Sequence, residues 1–306
     1  MELIHRVTAE EAGRTAGNLL RKNLGFSRAT LRKLKRSSGV QVNGLPIPLN
    51  RRLNEGDSIS IDLRFDNLSD IQPEPVPIHI VYEDQHLLVV NKPPGMLTHP
   101  LKEESTRTLA NAVLHHFRYN NLQLRFRPVS RLDRDTSGLV VVAKHAHAAF
   151  CLAQQLHNGG LTREYLAVVH GVVNPPQGVV DAPIGRCPGS IVKHRADPAG
   201  RKAVTCYRTE KAFPGSALLR LHLKTGRTHQ IRVHMSHIGH PLVGDTLYGG
   251  HTGGINRQAL HCCLVRLIHP VTGAALALES PLPEDIRYLI TRMESEKQNE
   301  QKRNTD

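Results

Sequence analysis

Apolar positions along this chain follow two different periods, and the change between them divides it. Near the amino terminus the spacing is helical, and a first helix is predicted over roughly Arg14–Leu24, stopped by Gly25. Ser27 can cap a second helix that turns Leu31 and Leu34 inward and ends near Gly39. Val40-Gln41-Val42 then alternates and reaches Asn43-Gly44, the strongest short hairpin signal. Ile59-Ser60-Ile61-Asp62-Leu63 alternates as a further strand. Residues 1–63 therefore read as a small α/β module.

Beyond residue 76 the pattern becomes many short strands with helices between them. Strands are predicted at Ile78–Tyr82, His86–Val90, Leu139–Ala143, Tyr165–Val169 and Leu218–Leu223. Helices fit Thr108–Phe117 and Ala146–His157, the second closed by Gly159-Gly160. The elements do not alternate as βαβ units, so an α+β body with a mixed, largely antiparallel sheet is expected over 78–290. The acidic, proline-containing stretch 64–77 reads as a linker, and the polar, aperiodic residues 291–306 as a disordered tail.

Composition narrows the class. The chain has 306 residues, of which 39% are hydrophobic, enough for a packed core. No apolar run approaches the ~18 residues of a membrane span, and the amino terminus lacks a secretion-signal pattern. The five cysteines are odd in number and form no CxxC pair, so a cytoplasmic location is expected rather than a secreted disulfide scaffold. No long apolar seam is evident, which favours a monomer.

The formal net charge is +13. A basic protein favours polyanions, and nucleic acid is the commonest large one in a cytosol. The charge is concentrated: Arg21, Lys22, Arg28, Arg32, Lys33, Lys35 and Arg36 stand together without an intervening acid. Such cations repel one another unless a polyanion meets them, which marks them as candidate RNA-binding residues. The order of helix, basic helix, hairpin and strand also resembles the S4-like RNA-binding domain.

Three segments carry candidate chemistry. Ser130-Arg131-Leu132-Asp133-Arg134-Asp135-Thr136-Ser137-Gly138 packs carboxylates, guanidinium groups and hydroxyls ahead of a buried strand. Leu161-Thr162-Arg163-Glu164-Tyr165-Leu166 begins a strand with one tyrosine. Thr225-Gly226-Arg227-Thr228-His229-Gln230-Ile231-Arg232-Val233-His234 opens a helix that Gly239 can stop, and runs on to Gly244-Asp245. Each alone has an ordinary structural explanation: a locally paired loop, a core tyrosine, a capped helix. Together and in this order, with Asn91-Lys92-Pro93-Pro94-Gly95 before them and Arg257-Gln258-Ala259-Leu260-His261 after them, they resemble the RluA-type family of pseudouridine synthases. The family often has histidine where this chain has Ser130, and gives that histidine no catalytic role.

The resemblance implies an isomerisation of uridine in RNA, in which uracil leaves its sugar, turns, and rejoins through carbon five. No atoms are gained or lost, so no cofactor, metal, redox partner or phosphoryl donor is required. It implies Asp133 as the reacting carboxylate, acting as nucleophile or base, and Arg232 as its partner. A guanidinium beside a carboxylate favours the ionised form. It implies Tyr165 as the active-site tyrosine, able to stack on uracil, and Arg131 as a contact to phosphate or a filler of the vacated stack. Asp135 is the competing carboxylate. The expected substrate is structured RNA, large-subunit ribosomal RNA first and transfer RNA second.

Two other classes fit parts of the sequence. A non-catalytic RNA-binding or ribosome assembly factor would need the basic module but not Asp133, Tyr165 and Arg232 together. An RNA hydrolase using Asp133, Asp135 and magnesium would need more acidic ligands than the chain offers. His229, His234, His237 and His240 invite a metal, with His234 and His237 three apart on a helix, but no HExxH motif or cysteine pair supports it. Cys262 and Cys263 read as small core residues on opposite faces of a strand.

Overall fold

The computed structural model describes residues 2–63, 70–101 and 105–303, with side chains described as far as 298. The first body begins with β1 (Glu2–Arg6), which the sequence pattern does not mark because Leu3 alone turns fully inward. Helix α1 (Ala16–Lys22) is two residues shorter at each end than predicted, since Thr15 caps it by accepting the Asn18 N–H and Asn23 closes it. Helix α2 (Arg28–Arg36) starts at Ser27, whose Oγ accepts the Thr30 N–H at 3.0 Å. Strands β2 (Val40–Val42) and β3 (Leu45–Pro46) flank Asn43 and Gly44, both at positive φ, as a primed hairpin turn requires. With β4 (Ser58–Asp62) they complete an antiparallel sheet in the order β1-β4-β2-β3. Leu19, Leu20, Phe26, Leu34, Val40, Ile59 and Ile61 form its core, separate from that of the larger body.

The larger body contains β5 (His79–Glu83), β6 (Leu87–Lys92), α3 (Leu109–Tyr119), β7 (Ser137–Ala143), α4 (Ala146–Asn158) and β8 (Thr162–His170). There follow β9 (Gln177–Asp181), the small hairpin β10 (Ile184–Arg186) and β11 (His194–Ala196), then β12 (Val204–Phe213) and β13 (Ser216–Leu223). Helix α5 (Gln230–His237), β14 (Leu260–Ile268), β15 (Ala275–Glu279) and α6 (Glu284–Arg303) complete it. A sheet of nine described strands runs β5-β6-β7-β14-β8-β13-β12-β9, with β15 beside β14. The β7–β14 ladder is parallel and the others are antiparallel, as the α+β reading expects. At the parallel ladder Gly138 has φ +115°, and a Cβ there would lie 2.3 Å from the Cys262 carbonyl oxygen. That close approach fixes where the loop before β7 ends.

Of the expected linker, 64–69 lie outside the described residues. Residues 70–77 lack regular structure but are tied down: the Gln72 carbonyl accepts from Asn111 Nδ2 at 2.7 Å, and Ile71 and Val76 pack on the larger core. The expected disordered tail needs correction. The described part of 291–306 is helical to Arg303, because Ile286, Leu289 and Met293 continue a helical spacing and pack against Val168, Phe213 and Val243. Lys297 Nζ also donates to the Ala212 carbonyl at 2.9 Å. The expected boundary at residue 290 thus falls inside α6. Phe26 of the first body stacks on His147 of α4, with centroids 3.9 Å apart and planes 5° from parallel. Among the described residues no helix is long and apolar enough to cross a membrane.

Candidate active site

The loop 128–136 leads into β7, its start paired with that strand through the Val129 N–H and the Val141 carbonyl at 2.8 Å, and its conformation is set from behind. Leu132 is buried in the core, and Thr98 holds it by donating to its carbonyl at 2.9 Å and accepting its N–H at 3.3 Å. Lys92, fully buried at the end of β6, donates to the carbonyls of Pro93, Met96 and Arg134, each at 2.8 Å. Burial pushes its ammonium down to about 7, against the pull of Asp135 and Asp133. Arg257 holds Asp285 with two bonds of 2.6 and 2.8 Å and donates to the Asp135 carbonyl at 2.9 Å. Two basic side chains therefore grip the loop backbone just after Asp133, at Arg134 and Asp135, while Thr98 holds it just before, at Leu132. With Leu132 anchored inward, Arg131 is exposed and the Asp133 side chain is 27% exposed.

Helix α5 brings the partner cation. Arg232 Nη1 lies 3.5 Å from Asp133 Oδ2, which joins the two residues the sequence paired. Its stronger partner is Asp245, bound through Nε at 2.7 Å and Nη2 at 2.8 Å. Burial opposes the charge of Arg232, but Asp245, together with Asp133 and Tyr248, more than offsets this, and its pKa is raised. The Arg232 guanidinium also lies over the Tyr248 ring, 4.9 Å from the centroid. His229, just before α5, places Nε2 3.9 Å from Asp133 Oδ2.

Tyr165 lies on β8 opposite Cys262 of β14 and Leu221 of β13, only 3% exposed. Burial is the main cause that pushes its hydroxyl pKa up, and the Asp133 charge contributes. No hydrogen bond links it to Asp133 or Arg232 among those described. Cys262 and Cys263 are buried, as expected. His234 has both ring nitrogens engaged, with Thr205 Oγ1 and the Ala182 carbonyl, each at 2.9 Å. Among the described residues no His, Cys, Asp and Glu cluster could hold a metal ion.

The seven cations of α1 and its surroundings divide. Arg21, Lys22, Arg28 and Arg32 line a groove between α1 and α2 with Gly17, Asn18 and Leu31, with no acidic side chain in its wall. Lys33, Lys35 and Arg36 are exposed outside it. Sequence reasoning missed Asp245 and Tyr248 as parts of the site, and gave Lys92, His229 and Arg257 no role. Asp245 carried a faint signal, since a lone acid closes the segment that carries Arg232. Nothing in the sequence shows that Tyr248 folds back onto that motif.

Comparison with known proteins places this geometry. The larger body has the pseudouridine synthase fold. It superposes on Human RNA Pseudouridylate Synthase Domain Containing 4 with a TM-score of 0.58, at 24% identity, over 71% of this chain and 93% of that one. It superposes on Human RNA Pseudouridylate Synthase Domain Containing 1 with a TM-score of 0.56, at 26% identity, over 68% and 84%. Residues 86–237 match the family model described as RNA pseudouridylate synthase. Over 269 residues the chain is 43% identical to "Uncharacterized RNA pseudouridine synthase YjbO" of Bacillus subtilis, covering 87% of this chain and 95% of that protein. It is 38% identical over 288 residues to "Ribosomal large subunit pseudouridine synthase D" of Pasteurella multocida, covering 89% of each. The chain belongs to the RNA pseudouridine synthase family, and is an isomerase acting on RNA.

Proposed function

We propose that this enzyme isomerises uridines of large-subunit ribosomal RNA, working as a monomer in the cytoplasm, with Asp133 as the reacting carboxylate. The observation that carries the reading is the placement of Asp133: part-exposed on a loop pinned from behind, with a guanidinium 3.5 Å away that is itself locked by a buried acid. The ribosomal target is supported by relatives named for the large subunit, 38–40% identical over most of this chain.

Each group has a task in that reaction. The target base leaves its stack at a cost of a few kcal/mol, and Arg131, exposed beside the loop, fills the gap or meets a phosphate. Asp133 meets the sugar as an anion, and Arg232 supplies the opposite charge. Tyr165 is the tyrosine of the site, near enough for the Asp133 charge to raise its hydroxyl pKa. Asp135 is held with the loop backbone, its carbonyl taken by Arg257. The first body serves as an S4-like RNA-binding domain, with Arg21, Lys22, Arg28 and Arg32 gripping the RNA backbone in the α1–α2 groove and Lys33, Lys35 and Arg36 adding charge beside it.

Pseudouridine-specific chemical mapping of RNA from deletion and parent cells tests this. At least one pseudouridine in large-subunit ribosomal RNA disappears in the deletion, and the wild-type gene restores it while Asp133→Asn does not. A loss confined to transfer RNA overturns the target. Restoration by Asp133→Asn overturns the assignment of the carboxylate.

A further inference from the structure

His229 stands at a conformation that few side chains adopt. Its φ is 57° and ψ 21°, the left-handed region, and although it occupies the cap position of α5 its side chain caps nothing. Non-glycine residues held there cluster at functional sites, because surrounding contacts must maintain the conformation. The ring is 12% exposed and points between two groups: Nδ1 is 2.9 Å from the Tyr248 hydroxyl, and Nε2 is 3.9 Å from Asp133 Oδ2.

Hydrogen-bond bookkeeping points to the nitrogen that carries the proton. The Tyr248 hydroxyl oxygen accepts the backbone N–H of His194 at 3.0 Å. The hydroxyl's own proton needs an acceptor, and among the described contacts that acceptor is His229 Nδ1. A neutral imidazole that accepts at Nδ1 carries its hydrogen on Nε2. Burial disfavours the charged ring, and this outweighs the pull of Asp133. The chain of contacts runs from the β10–β11 hairpin through Tyr248 to His229, and ends at Nε2, 3.9 Å from Asp133 Oδ2.

We propose that His229 is a positioning residue for the isomerisation: locked by Tyr248 as an Nε2–H donor, it orients the Asp133 carboxylate by sharing Oδ2 with Arg232. This rests on the reading of Asp133 as the reacting group. The division of labour follows from charge. Arg232 supplies a cation, and a second cation on the same oxygen would weaken the carboxylate as a nucleophile or base. A neutral N–H limits its rotation without adding charge. At 3.9 Å the contact is longer than a hydrogen bond. It closes when the nucleotide enters and the site tightens, as catalytic contacts commonly do.

The test uses the full-length enzyme and follows tritium release from carbon five of uridine in labelled total RNA from deletion cells. His229→Phe lowers kcat by about 10–100-fold, the loss expected of a misplaced reacting group, with KM changed less than about threefold. His229→Gln, which keeps a side-chain N–H at that reach, recovers to within about threefold of wild type. Tyr248→Phe leaves the histidine but frees its tautomer, and slows kcat by less than His229→Phe does. Wild-type kcat in His229→Phe overturns the proposal. So does His229→Gln as slow as His229→Phe when both melt at the wild-type temperature. Where His229→Phe folds poorly, the other two variants decide: an active His229→Gln with a slowed Tyr248→Phe supports the role, and the reverse overturns it. Activity in Asp133→Asn would instead sink the underlying assignment, so the two failures are distinguishable.

Discussion

Arg232 and Asp245 form a buried bidentate ion pair, at 2.7 and 2.8 Å, that leaves one guanidinium nitrogen 3.5 Å from Asp133. The pair is an aiming device as much as a source of charge. The side chain of Asp245 is 1% exposed, so the charge it shares with Arg232 has almost no water to fall back on. Removing one partner strands the other. Asp245→Asn should destabilise the fold by about 3–5 kcal/mol and lower kcat together with it. Arg232→Met, close in volume, should lower kcat by about 10²–10³-fold through loss of the cation at the site. Urea unfolding and tritium release measure the two effects. An Asp245→Asn enzyme of unchanged stability would show that the pair is dispensable.

The two halves of this site were not equally legible in the sequence. Asp133 and Arg232 stand in short, ordered motifs, and the structure brings them together. Helix α2 and the Asn43-Gly44 turn were also readable, because a cap and a turn are local chemistry. Strand β14 was not marked, since its partners β7 and β8 lie far along the chain and a strand buried on both faces lacks a clean alternation. Tyr248 was invisible for the same reason: its hydroxyl meets His229 and the His194 backbone only after the chain has folded back. The carboxyl-terminal helix was hidden by its polar outer face, while Ile286, Leu289 and Met293 pack inward.

Lys92 offers a test of how the Asp133 loop is held. Its three donated bonds use all the protons of an ammonium, and two of their acceptors lie beyond its neighbour in sequence, at Met96 and Arg134. Lys92→Met keeps the bulk and strands three carbonyls, at about 1–3 kcal/mol for each that water cannot reach. The expected outcome is a lower unfolding midpoint and a kcat reduced more than the affinity for RNA. Equal loss of both would place the damage elsewhere than in the loop.

Acid should weaken the fold through buried histidines. Burial holds His147 and His261 down to about 4 and His145 down to about 3. His145 Nδ1 accepts the Ala148 N–H at the start of α4, so its ring is kept neutral by use as well as by burial. Below the ordinary value near 6.5 the unfolded chain takes up protons that the folded chain refuses, so stability falls as pH falls. The loss begins near pH 6.5 and levels off once the folded values near 4 and 3 are passed. At pH 5 each histidine accounts for about 2 kcal/mol. His147→Phe keeps the aromatic stack on Phe26 and removes one protonation site. Its stability should drop about 2 kcal/mol less than wild type between pH 7 and 5, as read by urea unfolding at each pH.

The α1–α2 groove separates positioned charge from mere positive surface. Arg28 and Arg32 line it, whereas Lys35 and Arg36 are exposed outside it. If the groove tracks the RNA backbone, each lining cation displaces counterions from a phosphate, and affinity falls with salt by a slope of about 0.7–0.9 per contact. Replacing Arg28 and Arg32 together with Gln should weaken RNA binding and flatten that slope by about 1.4–1.8. Replacing Lys35 and Arg36 removes the same charge and should flatten it distinctly less. The Asp133 loop is untouched in both variants, so kcat at saturating RNA should stay near wild type while KM rises in the groove variant. Filter binding across a salt series reads the slopes. Equal slopes in the two variants would mean that the enzyme feels RNA through its net charge and not through this groove.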